Sequence, residues 1–270
     1  MNVLFLGDIV GHGGLSSVSS FLPSFKKKNN INFVIANGEN VSNGKGIVEP
    51  DFLSLVNSGV DVVTLGNHYG AKKQIFSYAK KYNNLIFPLN LIGHGEINGS
   101  HCFDVGGLKI QITSLLGQAF LNEVVKKPFD TLSNLILNND MPLIHIVDFH
   151  AESSSEKATL AFSFDGVITA LLGTHTHVQT NDCALLPKGS AFMTDVGFCG
   201  YSPSIIGFDP STVIDKTIYG IDCPFKVKES GDSIINGVLL KIDESTGFCK
   251  EINSIYVING KEKENGKIYY

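Results

Sequence analysis

The pair His175-Thr176-His177 is the sharpest chemical signal in this chain of 270 residues. On an extended segment residues i and i+2 point the same way, so both imidazoles can reach neighbouring metal ions. An H-x-H alone is a weak signal; its weight comes from four other places where a polar residue closes an apolar run. Asp8 follows Val3–Leu6 and Gly7, where it is either a turn-forming aspartate or a hard anionic oxygen ligand. Glu39 follows Phe33–Ala36 within Asn37-Gly38-Glu39-Asn40. It is either a loop carboxylate or one whose two oxygens bridge two cations. Asn67-His68 follows Val60–Leu65 and reads as a capped turn, or as an amide-oxygen ligand beside an acid-base histidine. His150 closes Leu143–Phe149 and becomes a ligand by its place in the set.

Charge counting favours the set as a dinuclear metal site. Two divalent cations bring four positive charges, and only Asp8 and Glu39 among the candidates are anionic. The surplus of about two matches one attacking hydroxide plus one phosphodiester anion, and neutral His and Asn ligands preserve it.

The elements that must position these residues follow from the same runs. Stretches of four to seven Val, Ile, Leu and Phe residues without polar alternation suit strands buried on both faces. Helical spacing separates several of them, over Ser16–Lys28, Pro50–Ser58, Lys72–Tyr82 and Phe129–Asn138. The alternation predicts an α/β fold with a largely parallel core, whose ligands bind beyond the carboxyl ends of the strands. Residues 84–115 and 234–258 read as hairpins, the second around Glu244-Ser245-Thr246-Gly247. No linker or repeat divides the chain, so one domain over residues 1–270 is expected, with 261–270 as a mobile or edge tail.

Composition bounds the function. Hydrophobic residues make up 43% and charged residues 17%, which describes a folded globular chain rather than a disordered one. A formal net charge of -5 supplies no broad basic surface, so extended duplex nucleic acid is not an expected partner. The one basic cluster, Lys26-Lys27-Lys28, reads as a solvated helix end. No apolar run approaches the ~18 residues of a membrane span, and the start of the chain lacks a basic leader region. A cytoplasmic location is expected. The five cysteines are scattered and read as reduced.

Five ordered motifs now carry a resemblance. Leu6-Gly7-Asp8-Ile9-Val10-Gly11, Ala36-Asn37-Gly38-Glu39-Asn40, Thr64-Leu65-Gly66-Asn67-His68, Asp148-Phe149-His150-Ala151-Glu152 and Gly173-Thr174-His175-Thr176-His177-Val178-Gln179-Thr180 together resemble the calcineurin-like metallophosphoesterases. Within them the chain closely resembles the bacterial YmdB-like branch. The resemblance implies a four-layer α/β/β/α sandwich and hydrolysis of cyclic nucleotides, 2',3'- and also 3',5'-. It implies two divalent or mixed-valence metal ions, iron first, with manganese or zinc as the alternatives. By family pattern Asp8, Glu39, Asn40 and His177 hold one metal, Glu39, Asn67, His150 and His175 hold the other, and His68 is the proton donor. The wider superfamily's Asp-x-His is Asp8-Ile9-Val10 here, with Asn40 replacing the missing histidine ligand. Glu39 stands where a bridging Asp is commoner, and Tyr69-Gly70-Ala71-Lys72 replaces the branch's usual Trp and Asp after Asn-His, which bears on substrate preference.

Two further expectations concern the surroundings of the set. Asp148 and Glu152 flank His150 and are candidates to orient ligand imidazoles. The segment Gly197–Tyr201 reads as a turn, with Phe198 or Tyr201 as alternative base-stacking groups. The remaining histidines, His12, His94, His101 and His145, read as surface or structural. A phosphomonoesterase or nuclease would use the same ligands, and a metal-bound regulatory partner of RNA-processing factors, with incidental hydrolysis, is the rival from another class. Homo-oligomerisation is left open by the sequence.

Overall fold

In the computed structural model, the described residues are 1–93 and 98–263. The expectations for His94 and Gly95, and for the tail beyond residue 263, lie outside the described residues. The chain begins with β1 (Asn2–Leu6), β2 (Asp8–Ile9), α1 (Gly11–Lys28), β3 (Phe33–Asn37), α2 (Glu49–Asn57), β4 (Val62–Thr64), α3 (Ile75–Tyr78) and β5 (Leu85–Ile86). It continues with β6 (Ser100–Val105), β7 (Leu108–Leu116), α4 (Pro128–Leu137), β8 (Ile144–His150), α5 (Ser154–Ser163) and β9 (Ala170–Thr174). The last part supplies β10 (Ala184–Leu185), β11 (Ala191–Met193), β12 (Phe198–Ser202), α6 (Pro210–Thr217), β13 (Asp232–Ile242), β14 (Cys249–Ile258) and β15 (Lys261–Glu262).

The strands form two main sheets. The first runs β15-β14-β13-β1-β3-β4-β5, with β12 also paired to β13 and β2 paired to β12. Its β1, β3, β4 and β5 are parallel, and β13 to β15 extend it antiparallel. The second runs β10-β11-β9-β8-β7-β6, parallel from β11 to β7 and antiparallel at both edges.

The two-residue period of a strand explains why these sheets stack. Val3 and Phe5 of β1, with Phe33 and Ile35 of β3, face Ile110, Ile112, Ile144, Ile146 and Leu172 of the second sheet in one core. The alternate residues Leu4, Leu6, Val34 and Ala36 turn the other way, onto Val18 and Leu22 of α1 and Phe52 and Leu55 of α2. On the far side, Val147, Phe149 and Leu171 meet Leu132 of α4 and Leu160 and Ala161 of α5. Three cores separate four layers, an α/β/β/α sandwich, and the uninterrupted apolar runs follow from strands covered on both faces.

The five apolar runs all enter strands, three in the first sheet and two in the second, as the expected α/β/β/α sandwich requires. Several expectations shift. The helix expected from Ser16 begins at Gly11, because Val10 ends the extended run directly before it. The helix expected over Lys72–Tyr82 shortens to Ile75–Tyr78 and a 3-10 turn, Ala79–Lys81. The pair β6 and β7 is a hairpin in which Gly106 and Gly107 supply the two positive φ angles of a tight turn, 63° and 90°. In contrast β5 is a parallel edge strand, not part of a hairpin. The hairpin of β13 and β14 lies where expected, and Gly197–Tyr201 lies largely in the strand β12. Lys26, Lys27 and Lys28 occupy the last turn of α1. Among the described residues no helix is long and apolar enough to cross a membrane.

His145 is a structural histidine buried in β8, its Nε2 lying 2.8 Å from Thr113 Oγ1. Burial pushes its pKa down to about 3 from 6.5. The folded chain therefore resists a proton that the unfolded chain accepts, so stability is lost as pH falls from about 6.5 toward about 3. His145→Gln should flatten that loss by up to one proton's worth of slope. Urea midpoints at pH 7, 6 and 5 for both proteins measure it.

Candidate metal centre

Every side chain of the candidate ligand set lies at or just past the carboxyl end of a strand. Asp8 follows β1, Glu39 and Asn40 follow β3, and Asn67 follows β4, all from the first sheet. His150 ends β8, and His175 and His177 follow β9, from the second. The site therefore straddles the seam between the sheets, and unbroken contacts connect all seven side chains. Glu39, His150 and His175 each offer an atom within 4.8 Å of the others, a group that could hold a metal ion.

Hydrogen-bond partners on the outer side of each ring fix which nitrogen faces inward. His150 Nδ1 lies 2.8 Å from Thr174 Oγ1, and the Thr174 hydroxyl donates at 2.7 Å to Asp148 Oδ1. Thr174 can then only accept from the ring, so Nδ1 carries the hydrogen and Nε2 its lone pair. His175 Nε2 stands 3.1 Å from Glu152 Oε2, which leaves Nδ1 as its inward atom. His177 Nδ1 donates at 2.9 Å to the carbonyl of Ile206 and turns Nε2 inward. The two neighbouring histidines thus serve the centre through different nitrogens. Glu152 orients His175 rather than the adjacent His150, whereas Asp148 reaches His150 through Thr174.

The inward atoms fall into two groups. In the first, His150 Nε2 lies 3.0 Å from Glu39 Oε1, from Asn67 Oδ1 and from His175 Nδ1. In the second, Asp8 Oδ1 lies 3.6 Å from His177 Nε2 and 3.2 Å from Asn40 Nδ2. Glu39 Oε1 belongs to both, being also 3.5 Å from Asn40 Nδ2. The remaining oxygens are held by the main chain: His68 N donates to Glu39 Oε2 at 2.9 Å and His175 N to Asp8 Oδ2 at 3.1 Å.

Burial sets the charges. It lowers the pKa of His150 and of His175 to about 4, so both rings are neutral and ligand-competent near pH 7. It raises Asp8 above the usual carboxylate range, an effect that His177 and His150 offset in part. It pushes Asp148 up to about 7, against hydrogen bonds from Thr64, Thr174 and Asn37. Lone pairs converging at about 3 Å with no hydrogen to share, next to a buried carboxylate short of positive charge, fit divalent cations.

Asn40 qualifies this fit. Its Nδ2 end faces Asp8, Glu39 and His177, and its Oδ1 lies 2.8 Å from His68 Nδ1. An amide nitrogen has no lone pair for a metal, so a ligand role requires a half-turn of the amide. The same turn decides His68. With Oδ1 facing the ring, Nδ1 carries the hydrogen; with Nδ2 facing it, the hydrogen moves to Nε2. Burial lowers His68 to about 4, opposed by Glu39, so the ring near neutrality is a neutral imidazole with one N–H.

Supporting residues that the sequence reading passed over include Asn37, Thr64 and Thr174, which form the network around Asp148, and Ile206. Lys157 and Asp195, a fully buried ion pair at 3.0 Å, were missed as well. The signal for Lys157 was available, because it shares the apolar face of α5 with Leu160 and Ala161. Gly66 is required by close approach: a Cβ there would collide with the His150 ring and the Glu39 carboxylate. Phe198 is buried and stacks on His177, with centroids 6.1 Å apart, while Tyr201 packs on Gly13 of α1. His12 lies on the surface, 3.5 Å from Asp51 Oδ1, and His101 packs edge-on against Phe103.

Stacked sheets carrying carboxylate, amide and imidazole donors at their shared carboxyl edge suit a phosphoester hydrolase. The model of the YmdB-like protein family matches residues 4–255, and the chain belongs to that family. It is 40% identical, over 100% of its length and 98% of the relative's, to a Mycoplasma genitalium protein named as a candidate phosphatase/phosphodiesterase. It is 38% identical, over 95% of its length and 97% of the relative's, to the 2',3'-cyclic-nucleotide 2'-phosphodiesterase of Bacillus subtilis. A crystal structure described as a novel phosphatase from Mycoplasma pneumoniae superposes with a TM-score of 0.90 at 36% identity, covering 98% of this chain and 95% of that one. The chain is a phosphoester hydrolase.

Thr174→Val keeps the shape but removes the acceptor for His150 Nδ1–H. Affinity for a divalent cation should drop about 10–100-fold with the fold retained. Calorimetric titration with zinc measures it; unchanged affinity would refute the orienting role.

Proposed function

We propose that this chain is a dinuclear metal-dependent phosphodiesterase acting on cyclic nucleotides, with 2',3'-cyclic nucleotides as the first substrate class and 3',5'- as the second. The carrying observation is Glu39 Oε1, shared between the two donor groups and so suited to a bridging role. The name of the Bacillus subtilis relative supports the substrate class.

Glu39, Asn67, His150 and His175 would hold one ion, and Asp8, Glu39, Asn40 and His177 the other. Iron is the proposed native metal, with manganese or zinc as substitutes that the same donors accept. When bound, such ions act as Lewis acids toward phosphoryl oxygens and lower the pKa of water. The neutral imidazoles and amides leave the centre a net positive charge that attracts the anionic substrate. The backbone amides of His68 and His175 hold the outer oxygens of Glu39 and Asp8, which fixes the inner ones in place.

His68 is the proposed donor to the leaving alkoxide, acting in its protonated form so that the transfer returns it to a neutral imidazole. General-acid assistance of this kind is worth ~10²–10⁴-fold.

Two outcomes test the reading. Hydrolysis of 2',3'- and 3',5'-cyclic nucleotides, set beside nucleoside monophosphates and short RNA, should show diester turnover that chelator abolishes and manganese or iron(II) restores. Turnover no faster than metal in buffer would sink it. In His68→Ala, turnover should fall ~10²–10⁴-fold while metal analysis of anaerobically purified protein still finds two ions.

A further inference from the structure

The segment that supplies two of the ligands has unusual backbone geometry. His175 has φ 110° and His177 φ 62°, both in the left-handed region that residues with a Cβ seldom occupy. Such a conformation persists only where the surroundings over-determine it, and beside the contacts of the rings themselves a buried ion pair holds the main chain of this segment.

Lys157 and Asp195 are both completely buried. Lys157 Nζ donates to Thr174 O at 2.9 Å and to Asp195 Oδ2 at 3.0 Å. Asp195 Oδ2 also accepts from Thr176 N at 3.0 Å, and its Oδ1 accepts from Gly197 N at 2.9 Å. Beyond the histidines, Thr180 N donates to Asp195 O and Thr180 Oγ1 accepts from Asp195 N, each at 3.0 Å. The side-chain bonds of the pair are thus spent largely on the main chain of one loop. Residues 174 and 176 are tied down behind it, and the intervening 175 and the following 177 are turned into the centre.

Stability gives little reason to keep such a pair. A buried ion pair is often no better than apolar side chains of similar volume, and Lys157 occupies a helix face where Leu160 and Ala161 already pack. We propose that Lys157 and Asp195 are positioning residues: by clamping Thr174 and Thr176 they deliver His175 and His177 to the metal centre in ligating geometry before any ion arrives. One clamp would thereby serve both metal positions, since each histidine belongs to a different donor group. The inference rests on the metal-dependent reading above.

Two variants of the full chain test it. Asp195→Asn should fold, melt lower than wild type, and bind zinc about 10–100-fold more weakly at both positions by calorimetry. The double variant Lys157→Met/Asp195→Leu leaves no lone buried charge, so its melting temperature without metal should recover toward the wild-type value. Its zinc affinity should stay about 10–100-fold low, because Thr176 N–H and Thr174 O have lost their partners. Cobalt(II) loaded into the same proteins adds a spectroscopic readout, with ligand-field bands that shift in the variants. A folded variant with wild-type affinity and wild-type cobalt bands would overturn the clamp. If the wild-type protein takes up no divalent cation, the metal-dependent reading fails instead, so the two failures are distinguishable.

Discussion

Electron pairs held close together in a largely buried place set the terms for the rest of this molecule. At the seam of the two sheets, His150 Nε2 meets a carboxylate oxygen, an amide oxygen and a second imidazole nitrogen, each at 3.0 Å. The outer nitrogens of both rings are committed elsewhere, so no hydrogen lies between these atoms. Such a cluster is repulsive unless a cation occupies it, and burial makes the repulsion stronger because little solvent screens it.

The fold accommodates this by distributing the burden. Two sheets, each parallel where it matters, bring five strand ends to one edge. No single element carries more than two of the candidate ligands. Each carboxylate has one oxygen tied to a backbone amide and one left for the centre. Each histidine has its outer nitrogen tied to an acceptor: a threonine hydroxyl, a carboxylate or a carbonyl. Behind these stand Asp148, its pKa raised to about 7 by burial, and the pair of Lys157 and Asp195. The interior is polar there because a rigid donor set needs hydrogen bonds on its far side, where apolar packing would leave the rings free to turn.

The same logic links the centre to its proton chemistry. Asn40 touches Asp8, Glu39 and His177 with one end of its amide and His68 with the other. Because an amide has one donating and one accepting end, its orientation toward the centre fixes the hydrogen on His68.

The amino-acid sequence by itself determined the residue types at the strand ends and the buried character of the strands. Both are short-range facts, an apolar run and the polar residue that closes it. It also carried the family resemblance, which supplied Asn40, the four layers and the pairing of ligands with metals. Only the tertiary structure decided that Val3–Leu6, Phe33–Ala36 and Val60–Leu65 lie in one sheet while Leu143–Phe149 and Val167–Leu172 lie in the other. Strands buried on both faces read alike whichever sheet they join. Tertiary structure also assigned Glu152 to His175 instead of its neighbour His150, and paired Lys157 with Asp195. A hydrogen bond such as His175 N to Asp8 Oδ2 spans 167 positions, and local periodicity holds no record of a partner so far along the chain.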